Sequence, residues 1–212
     1  MGKIKQGILG GFNGTTGSVV GAAWKGIAYM RGKAQSIKNP RTQLQQANRS
    51  LFGELSDLMS KAKAVVDIGF KMSAVKQSAY NAAVKENMLI ASRLGDEFDY
   101  SNLVFSKGSY ANILSGSVAY QDNALNCSGT LVEALPATGQ VKLVVIVEAD
   151  ELPTALVVSA NASLNAGRTG FDGAVTVPSR LTHMSCTVQA FAFDADTFEA
   201  SATANIGTYE AS

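Results

Sequence analysis

The hydrophobic residues change their spacing near residue 99, and this change limits the folds open to the chain. Before it, apolar residues from Leu44 to Val65 recur at intervals of three and four, which is typical of an amphipathic helix of about 28 residues. After it, short apolar and β-branched runs alternate with Gly, Asn, Asp and Pro, which is typical of strands and turns. Residues 39–98 are therefore predicted to be helical, and residues 99–212 to form a β domain.

The helical part carries signals for two helices. Asn39 can cap a helix and Pro40 fits its first position, so the long helix is expected to begin there. Gly69 is expected to end it. A second, alanine-rich apolar stripe covers residues 73–94, and two such helices joined by a short connection are predicted to pack as an αα-hairpin.

The β part contains candidate strands at intervals of about eight to twelve residues. They are 102–106, 116–120, 124–130, 142–149, 155–160, 173–177, 184–193 and 200–206. Turns are predicted at 122–123, 137–139, 172–173 and 194–196. This spacing favours an antiparallel β-sandwich of the immunoglobulin or fibronectin type, so the predicted fold class is α+β. Both faces of strand 184–193 are expected to be covered, and Cys127 and Cys186 are expected to be buried free thiols.

Residues 1–38 hold nine of the twenty glycines, a density that disfavours a long regular element. Apolar and aromatic side chains such as Phe12, Trp24 and Tyr29 are interspersed, which a purely flexible linker would not carry. This glycine-rich basic segment is therefore predicted to be an extended arm that becomes ordered on a surface. The surface is either the chain's own β domain or another subunit.

The net charge of +1 conceals a strong asymmetry. Residues 1–53 carry eight bases and no acid, whereas residues 101–212 carry four bases and ten acids. The basic N-terminal segment suits one of two partners, either a polyanion or the acidic C-terminal segment of a neighbouring copy. No apolar run approaches the length of a membrane span, and no secretory signal is evident, so neither is expected.

Catalytic and metal-binding motifs match the sequence only in part, because residues that their mechanisms need are missing. Residues 11–17 lack the Gly-Lys-Ser/Thr of a phosphate loop, and the lone His183 has no ligand partners at metal spacing. Asp194 and Asp196 are expected to form a polar turn rather than a calcium site. We therefore expect no catalytic residue, no cofactor, no metal and no enzymatic activity.

Aromatic and basic residues gather in the arm and at the start of the first helix. Trp24, Tyr29 and nearby bases suit stacking on single-stranded nucleic acid, but the surrounding glycines and small apolar residues favour anchoring in a protein groove. Assembly or partner contacts are expected from the residues that combine these chemistries. They are Phe12, Trp24, Lys25, Tyr29, Arg31, Asn39, Pro40, Arg41, Gln46 and Arg49.

Two sequence blocks carry a family resemblance, GAAWKGIAYMR at residues 21–31 and KNPRTQLQQA at residues 38–47. A glycine-rich start, a W-K-G-x-x-Y-x-R block and an N-P-x-T-x-x-Q-Q helix start resemble the DUF6266 family of Bacteroidota and their phages. The family brings no established catalytic residues. Similar openings in small phage structural proteins imply a virion component.

The leading hypothesis is a phage virion structural protein, a capsid or coat subunit that self-assembles through its arm and helices in the host cytoplasm. Its partners would be copies of itself, with other virion proteins and nucleic acid on the bases of residues 1–49 as further partners. One alternative is a surface or host-binding β-sandwich module that uses loops 135–140 and 161–172. The other is a single-stranded nucleic-acid-binding protein that works through the basic arm.

Overall fold

A computed structural model describes residues 2–3, 11–36, 41–93, 99–148, 155–177 and 184–210. The chain divides into two compact units, Met1–Gln45 and Gln46–Ser212. The described residues form three α-helices and two antiparallel sheets. The predicted α+β class is confirmed.

The first unit is built around a small antiparallel sheet. Its strands are β1 Gly2–Lys3, β2 Gly14–Thr16, β3 Val19–Trp24 and β4 Ile27–Gly32, in the order β1-β4-β3-β2. Lys25 and Gly26 form the two-residue turn between β3 and β4, with φ values of 48° and 76°. Positive φ at both positions is what a type I′ hairpin turn requires.

Among the described glycines of this unit, Gly21 lies where a close approach needs it. Gly21 lies inside β3, and a Cβ placed there would be 2.6 Å from the ring of Phe12. Phe12 therefore packs directly over the backbone of the sheet. Over residues 14–32 the chain pairs with itself, where the sequence suggested an extended arm.

The helical part contains three helices where two were predicted. They are α1 Gln43–Lys61, α2 Lys63–Gly69 and α3 Ala79–Arg93. The predicted long helix is interrupted at Ala62, whose carbonyl accepts hydrogen bonds from the N–H groups of both Val65 and Val66 at 2.9 and 3.0 Å. Such a doubled bond tightens one turn and separates α1 from α2. The predicted end of this helical stretch at Gly69 is confirmed.

The helix starts also differ from the sequence prediction. Asn39 and Pro40 lie outside the described residues, and α1 begins at Gln43, where the Thr42 hydroxyl accepts the Gln45 N–H at 3.3 Å. The second predicted helix begins at residue 79 rather than 73. There the Ser78 hydroxyl accepts the Asn81 N–H at 3.1 Å and caps α3.

Only part of the predicted apolar stripe of α1 is buried. The buried side chains are Leu51, Leu55, Leu58 and Met59. Leu44 and Phe52, which the spacing placed on the same stripe, are 67% and 52% exposed. Among the described helices, none is long and apolar enough to cross a membrane.

The second unit contains a seven-stranded antiparallel sheet. Its strands are β5 Ile113–Gln121, β6 Ala124–Leu131, β7 Gly139–Glu148, β8 Leu156–Leu164, β9 Gly170–Thr176, β10 Ser185–Asp194 and β11 Ala204–Glu210, in the order β11-β10-β7-β8-β9-β6-β5. The two edge strands approach each other, since the rings of Tyr120 on β5 and Tyr209 on β11 stack with centroids 4.8 Å apart. The sheet is thus close to a barrel.

Two of the predicted β features are wrong. Residues 102–106 are not a strand, because the N–H groups of Phe105 and Ser106 donate to the Thr203 hydroxyl instead of to a neighbouring strand. Residues 172–173 are not a turn, because Asp172 lies inside β9 and pairs with Ser128 and Ser163 on either side. The other candidate strands overlap observed ones, and the turns at 122–123, 137–139 and 194–196 lie between strands or at their ends.

The strands β7 and β10 are buried on both faces, as predicted for residues 184–193. On one face, side chains such as Ile146 and Phe191 join the core that the helices supply. On the other, side chains such as Val145 and Val188 join the core enclosed by the sheet. The helices therefore cover one outer face of the sheet.

Both cysteines are buried and unpaired, as predicted, and burial raises the pKa of each thiol to about 11. A thiol reacts as the thiolate, so burial and a high pKa both slow its reaction. We expect a disulfide reagent at pH 8 to label neither thiol of the native protein. Over the same time, unfolded protein should react with two equivalents of the reagent. Rapid labelling of Cys127 or Cys186 in the folded state would contradict this arrangement.

Candidate interaction surfaces

The hairpin of β3 and β4 sorts its side chains onto two faces. The register pairs Val20 with Arg31, Ala22 with Tyr29, and Trp24 with Ile27. Side chains of directly opposed residues in an antiparallel pair lie on the same face. We call the face made by these residues the aromatic face; it consists of Val20, Ala22, Trp24, Ile27, Tyr29 and Arg31.

The aromatic face exposes large apolar side chains at its turn end. Trp24 is 57% exposed and its partner Ile27 is 44% exposed. Tyr29 is partly buried and Arg31 is exposed at the other end, about 13 Å along β4 from Ile27. The face thus runs from an exposed indole to a guanidinium, with a phenol between them.

Four of the ten predicted contact residues lie in the hairpin of β3 and β4. Phe12 packs against Gly21, which alternates with the residues of the aromatic face and so lies on the opposite side of the sheet. Gln46 and Arg49 are exposed on α1 within the second unit, and Arg41 precedes that helix. Of the predicted residues, Trp24, Tyr29 and Arg31 share the aromatic face, and Lys25 lies in the adjoining turn.

The second unit contains a recess that sequence reasoning did not find. Its volume is about 420 Å³. We call it the acidic recess; it is lined by Met72, Lys107, Gly108, Ser109, Tyr110, Glu133, Glu199 and Ala200. These residues come from four distant parts of the chain, so no local sequence pattern could have grouped them.

A tyrosine hydroxyl lies at the acidic recess without a hydrogen-bond partner among the described residues. It belongs to Tyr110, and the oxygen is shielded from solvent. Burial raises the pKa of Tyr110, and the nearby carboxylates of Asp194, Glu199 and Glu133 raise it further. The hydroxyl therefore keeps its proton at neutral pH, inside the protein wall of the recess.

The wall beside the acidic recess is held by one arginine. The Arg168 guanidinium donates to the carbonyls of Leu135 at 3.0 Å, Gly139 at 2.5 Å and Ala137 at 3.3 Å. Three carbonyl partners fix the chain between β6 and β7. The predicted binding loop 135–140 is thus shorter and more firmly held than the sequence implied, because residues 139–140 already belong to β7.

The outer face of β5, β6 and β9 is polar. Hydroxyls pair across it, Ser115 with Thr130 at 2.7 Å and Ser117 with Ser128 at 2.9 Å. A groove of about 340 Å³ runs over these side chains and reaches Asp172. Most of the predicted loop 161–172 lies in β8 and β9, which leaves residues 165–169 as the connection.

Among the described residues, no group of three or more His, Cys, Asp or Glu side chains is arranged to hold an ion. Asp194 instead accepts hydrogen bonds from the Thr138 hydroxyl and from the N–H groups of Asp196 and Thr197, at 2.7 to 2.9 Å. These bonds lower the pKa of Asp194, the Thr138 bond most strongly. His183 lies outside the described residues.

Together these features define an α+β protein with a nearly closed antiparallel sheet and an exposed aromatic face on a separate small sheet. Residues 11–183 match the family of unknown function DUF6266, and the chain belongs to that family. No curated protein matches the chain. The family resemblance seen in the sequence is confirmed.

Proposed function

We propose that this protein is a structural, non-enzymatic protein that assembles with copies of itself through its first unit. The setting we propose is a phage virion, with the chain as a capsid or coat subunit assembled in the host cytoplasm. The observation that carries self-assembly is the aromatic face, where Trp24 and Ile27 expose adjacent apolar side chains. The virion setting is supported by the resemblance of the N-terminal blocks to phage structural proteins.

The aromatic face leaves large apolar side chains in water at its turn end. Isolated exposed apolar residues are ordinary, but a contiguous patch bordered by polar groups marks an interaction site. Trp24 and Ile27 are directly opposed and Tyr29 follows on the same face, so the patch is contiguous. Tryptophan, tyrosine and arginine are also the residues that most often dominate binding energy at protein interfaces.

The test is the variant Trp24→Ser with Ile27→Ser in the full chain, compared with the wild type by sedimentation velocity across a wide concentration range. We expect the wild type to form larger species as concentration rises. The variant should associate about 30-fold more weakly, since removing a buried aromatic anchor costs about 2 kcal/mol or more. Electron microscopy of the wild-type species shows whether they are shells, tubes or rings.

The matched control removes two exposed leucines from the second unit. Leu89→Ser with Leu114→Ser deletes side chains that are 48% and 71% exposed. This control should associate like the wild type, because its leucines do not lie on the aromatic face. A wild type that stays monomeric at all concentrations, or a control as weakened as the variant, would refute assembly through this face.

A second candidate function is binding of single-stranded nucleic acid by the same sheet. The observation that favours it is the aromatic face itself, since it carries Trp24, Tyr29 and Arg31 within an acid-free unit. Bases stack on aromatic rings while cations neutralise phosphates. Binding of a fluorescent oligothymidylate that weakens steeply with salt, and that is lost in Trp24→Ser, would favour this function.

The surface-module alternative has its own observation, the polar groove over β5, β6 and β9. Binding of the full chain to a glycan array, abolished by Asp172→Ala, would favour it.

We also propose that the seven-stranded sheet folds as a sandwich of the immunoglobulin or fibronectin type. The pairing of β8 supports this proposal. The strand pairs with β7 over residues 156–162 and with β9 only at Ser163 and Leu164, so it passes from one half of the sheet to the other.

A further inference from the structure

We infer that the aromatic face of one copy docks at the acidic recess of a second copy, so that assembly is head to tail. This inference rests on the proposed self-assembly and names its two surfaces. It commits to a second copy of this chain as the occupant of the aromatic face.

The charges of the two units are complementary. Residues 1–45 contain seven of the 18 bases and none of the 17 acids, so this unit carries a formal charge of +7. The remaining eleven bases and seventeen acids give residues 46–212 a formal charge of −6. Two aromatic faces meeting each other would bring like charges together, whereas a face meeting the second unit of another copy brings opposite charges together.

The chemistry of the two surfaces is also complementary. The aromatic face offers donors, the indole N–H of Trp24 and the guanidinium of Arg31. The acidic recess offers acceptors, the carboxylates of Glu133 and Glu199. At about 420 Å³ the recess has room for an indole or a guanidinium, and no described side chain fills it.

An apolar contact completes the match. Met72 lines the acidic recess and is 60% exposed. A thioether packs favourably against an aromatic ring. Trp24 of a second copy would therefore cover Met72 while its N–H reaches an acceptor. A nucleic acid could neutralise the cations of the face, but it would leave Met72, Glu133 and Glu199 of the acidic recess uncovered.

The area of the aromatic face sets the strength of one contact. Two six-residue strands and their short neighbour cover roughly 10 by 20 Å, on the order of 200 Å². A stable pair of proteins buries about 800 Å² on each side. One such contact is therefore weak, and a head-to-tail contact gains stability by repeating in a ring or filament.

The experiment uses two full-length variants with complementary defects. The face variant is Trp24→Ser with Arg31→Glu, which keeps an intact recess. The recess variant is Glu133→Lys with Glu199→Lys, which keeps an intact aromatic face. Alone, each should remain monomeric by native mass spectrometry. Mixed at a concentration high enough for one weak contact to form, they should give a one-to-one pair and nothing larger, because each pair has a single competent contact and both of its ends are blocked.

The control for the recess variant reverses two exposed carboxylates elsewhere in the second unit, Glu54→Lys with Glu210→Lys. It changes the net charge equally and should still assemble like the wild type. The association of the mixed pair should weaken about tenfold or more when salt screens the charges. Circular dichroism checks that all variants are folded.

The outcomes separate this inference from the proposed function. Wild-type assembly with no pair in the mixture overturns the head-to-tail contact and leaves self-assembly standing. Assembly of the recess variant alone overturns it as well, and points to face-to-face pairing or to nucleic acid as the occupant. A monomeric wild type refutes the proposed self-assembly itself, and with it both surfaces.

Discussion

Replacing Asn87 by leucine is expected to lower the free energy of unfolding by about 3 kcal/mol. Asn87 is 2% exposed on α3, and its amide closes a two-way hydrogen bond with the backbone of Val104. The Val104 N–H donates to Oδ1 and the Asn87 Nδ2 donates to the Val104 carbonyl, both at 2.8 Å. Leucine has nearly the same shape, so the loss comes from leaving two buried backbone groups without partners.

Urea unfolding followed by circular dichroism measures this loss. The matched control is Asn81→Leu, an exposed position on the same helix, which should change the free energy of unfolding by less than about 0.5 kcal/mol. Equal stabilities for the two variants would mean that the amide of Asn87 does not hold Val104.

Sequence periodicity located most of the sheet because its central strands are continuous apolar runs. Val144 and Ile146 are buried towards the helices while Val145 is buried on the other face, so no polar residue interrupts the pattern. The same reasoning failed at residues 102–106. Phe105 is buried as a core residue of an irregular segment, and apolar content alone does not distinguish that from a strand.

The helix boundaries were harder to predict for a different reason. Caps are made by single side chains, and several polar residues near each helix start can serve. Thr42 and Ser78 provide the caps in the structure, whereas the sequence favoured Asn39 for the first helix. The break at Ala62 has no sequence signal, since alanine is the strongest helix former.

The sequence identified only some of the residues of the aromatic face. Trp24, Tyr29 and Arg31 stood out by residue type, but Ile27 joined them only once the turn at Lys25 and Gly26 had fixed the register. A two-residue turn with glycine at its second position is a readable hairpin signal, and the glycine-rich context obscured it. The acidic recess gave no signal at all, because its residues meet only through tertiary packing.

Replacing Gly116 by alanine is expected to lower the free energy of unfolding by about 2 kcal/mol and to make the protein prone to aggregation. Gly116 lies on edge strand β5, and a Cβ placed there would be 2.5 Å from the Cβ of Ile206 on the other edge strand, β11. Ile206 is 6% exposed and belongs to the core enclosed by the sheet, so it cannot move freely. Overpacking of this kind costs about 1–3 kcal/mol.

The expected aggregation follows from the loss of contact between the two edge strands, β5 and β11. Among the described residues β5 and β11 form no hydrogen-bonded ladder. They are nevertheless in contact, because Ile206 packs against the backbone of Gly116 and the rings of Tyr120 and Tyr209 stack. Pushing β11 away leaves two long edges with unpaired backbone groups, which invite pairing with another chain. Light scattering on heating should therefore rise at a lower temperature than in the wild type.

Gly53→Ala is the matched control, with the same substitution at an exposed position inside α1 where a Cβ meets nothing within 4 Å. Alanine there should raise the free energy of unfolding by about 1 kcal/mol, because glycine is a poor helix former. The two substitutions are thus expected to have opposite signs. If Gly116→Ala also stabilised the protein, β5 and β11 would not be in contact in solution, and the sheet would be open rather than nearly closed.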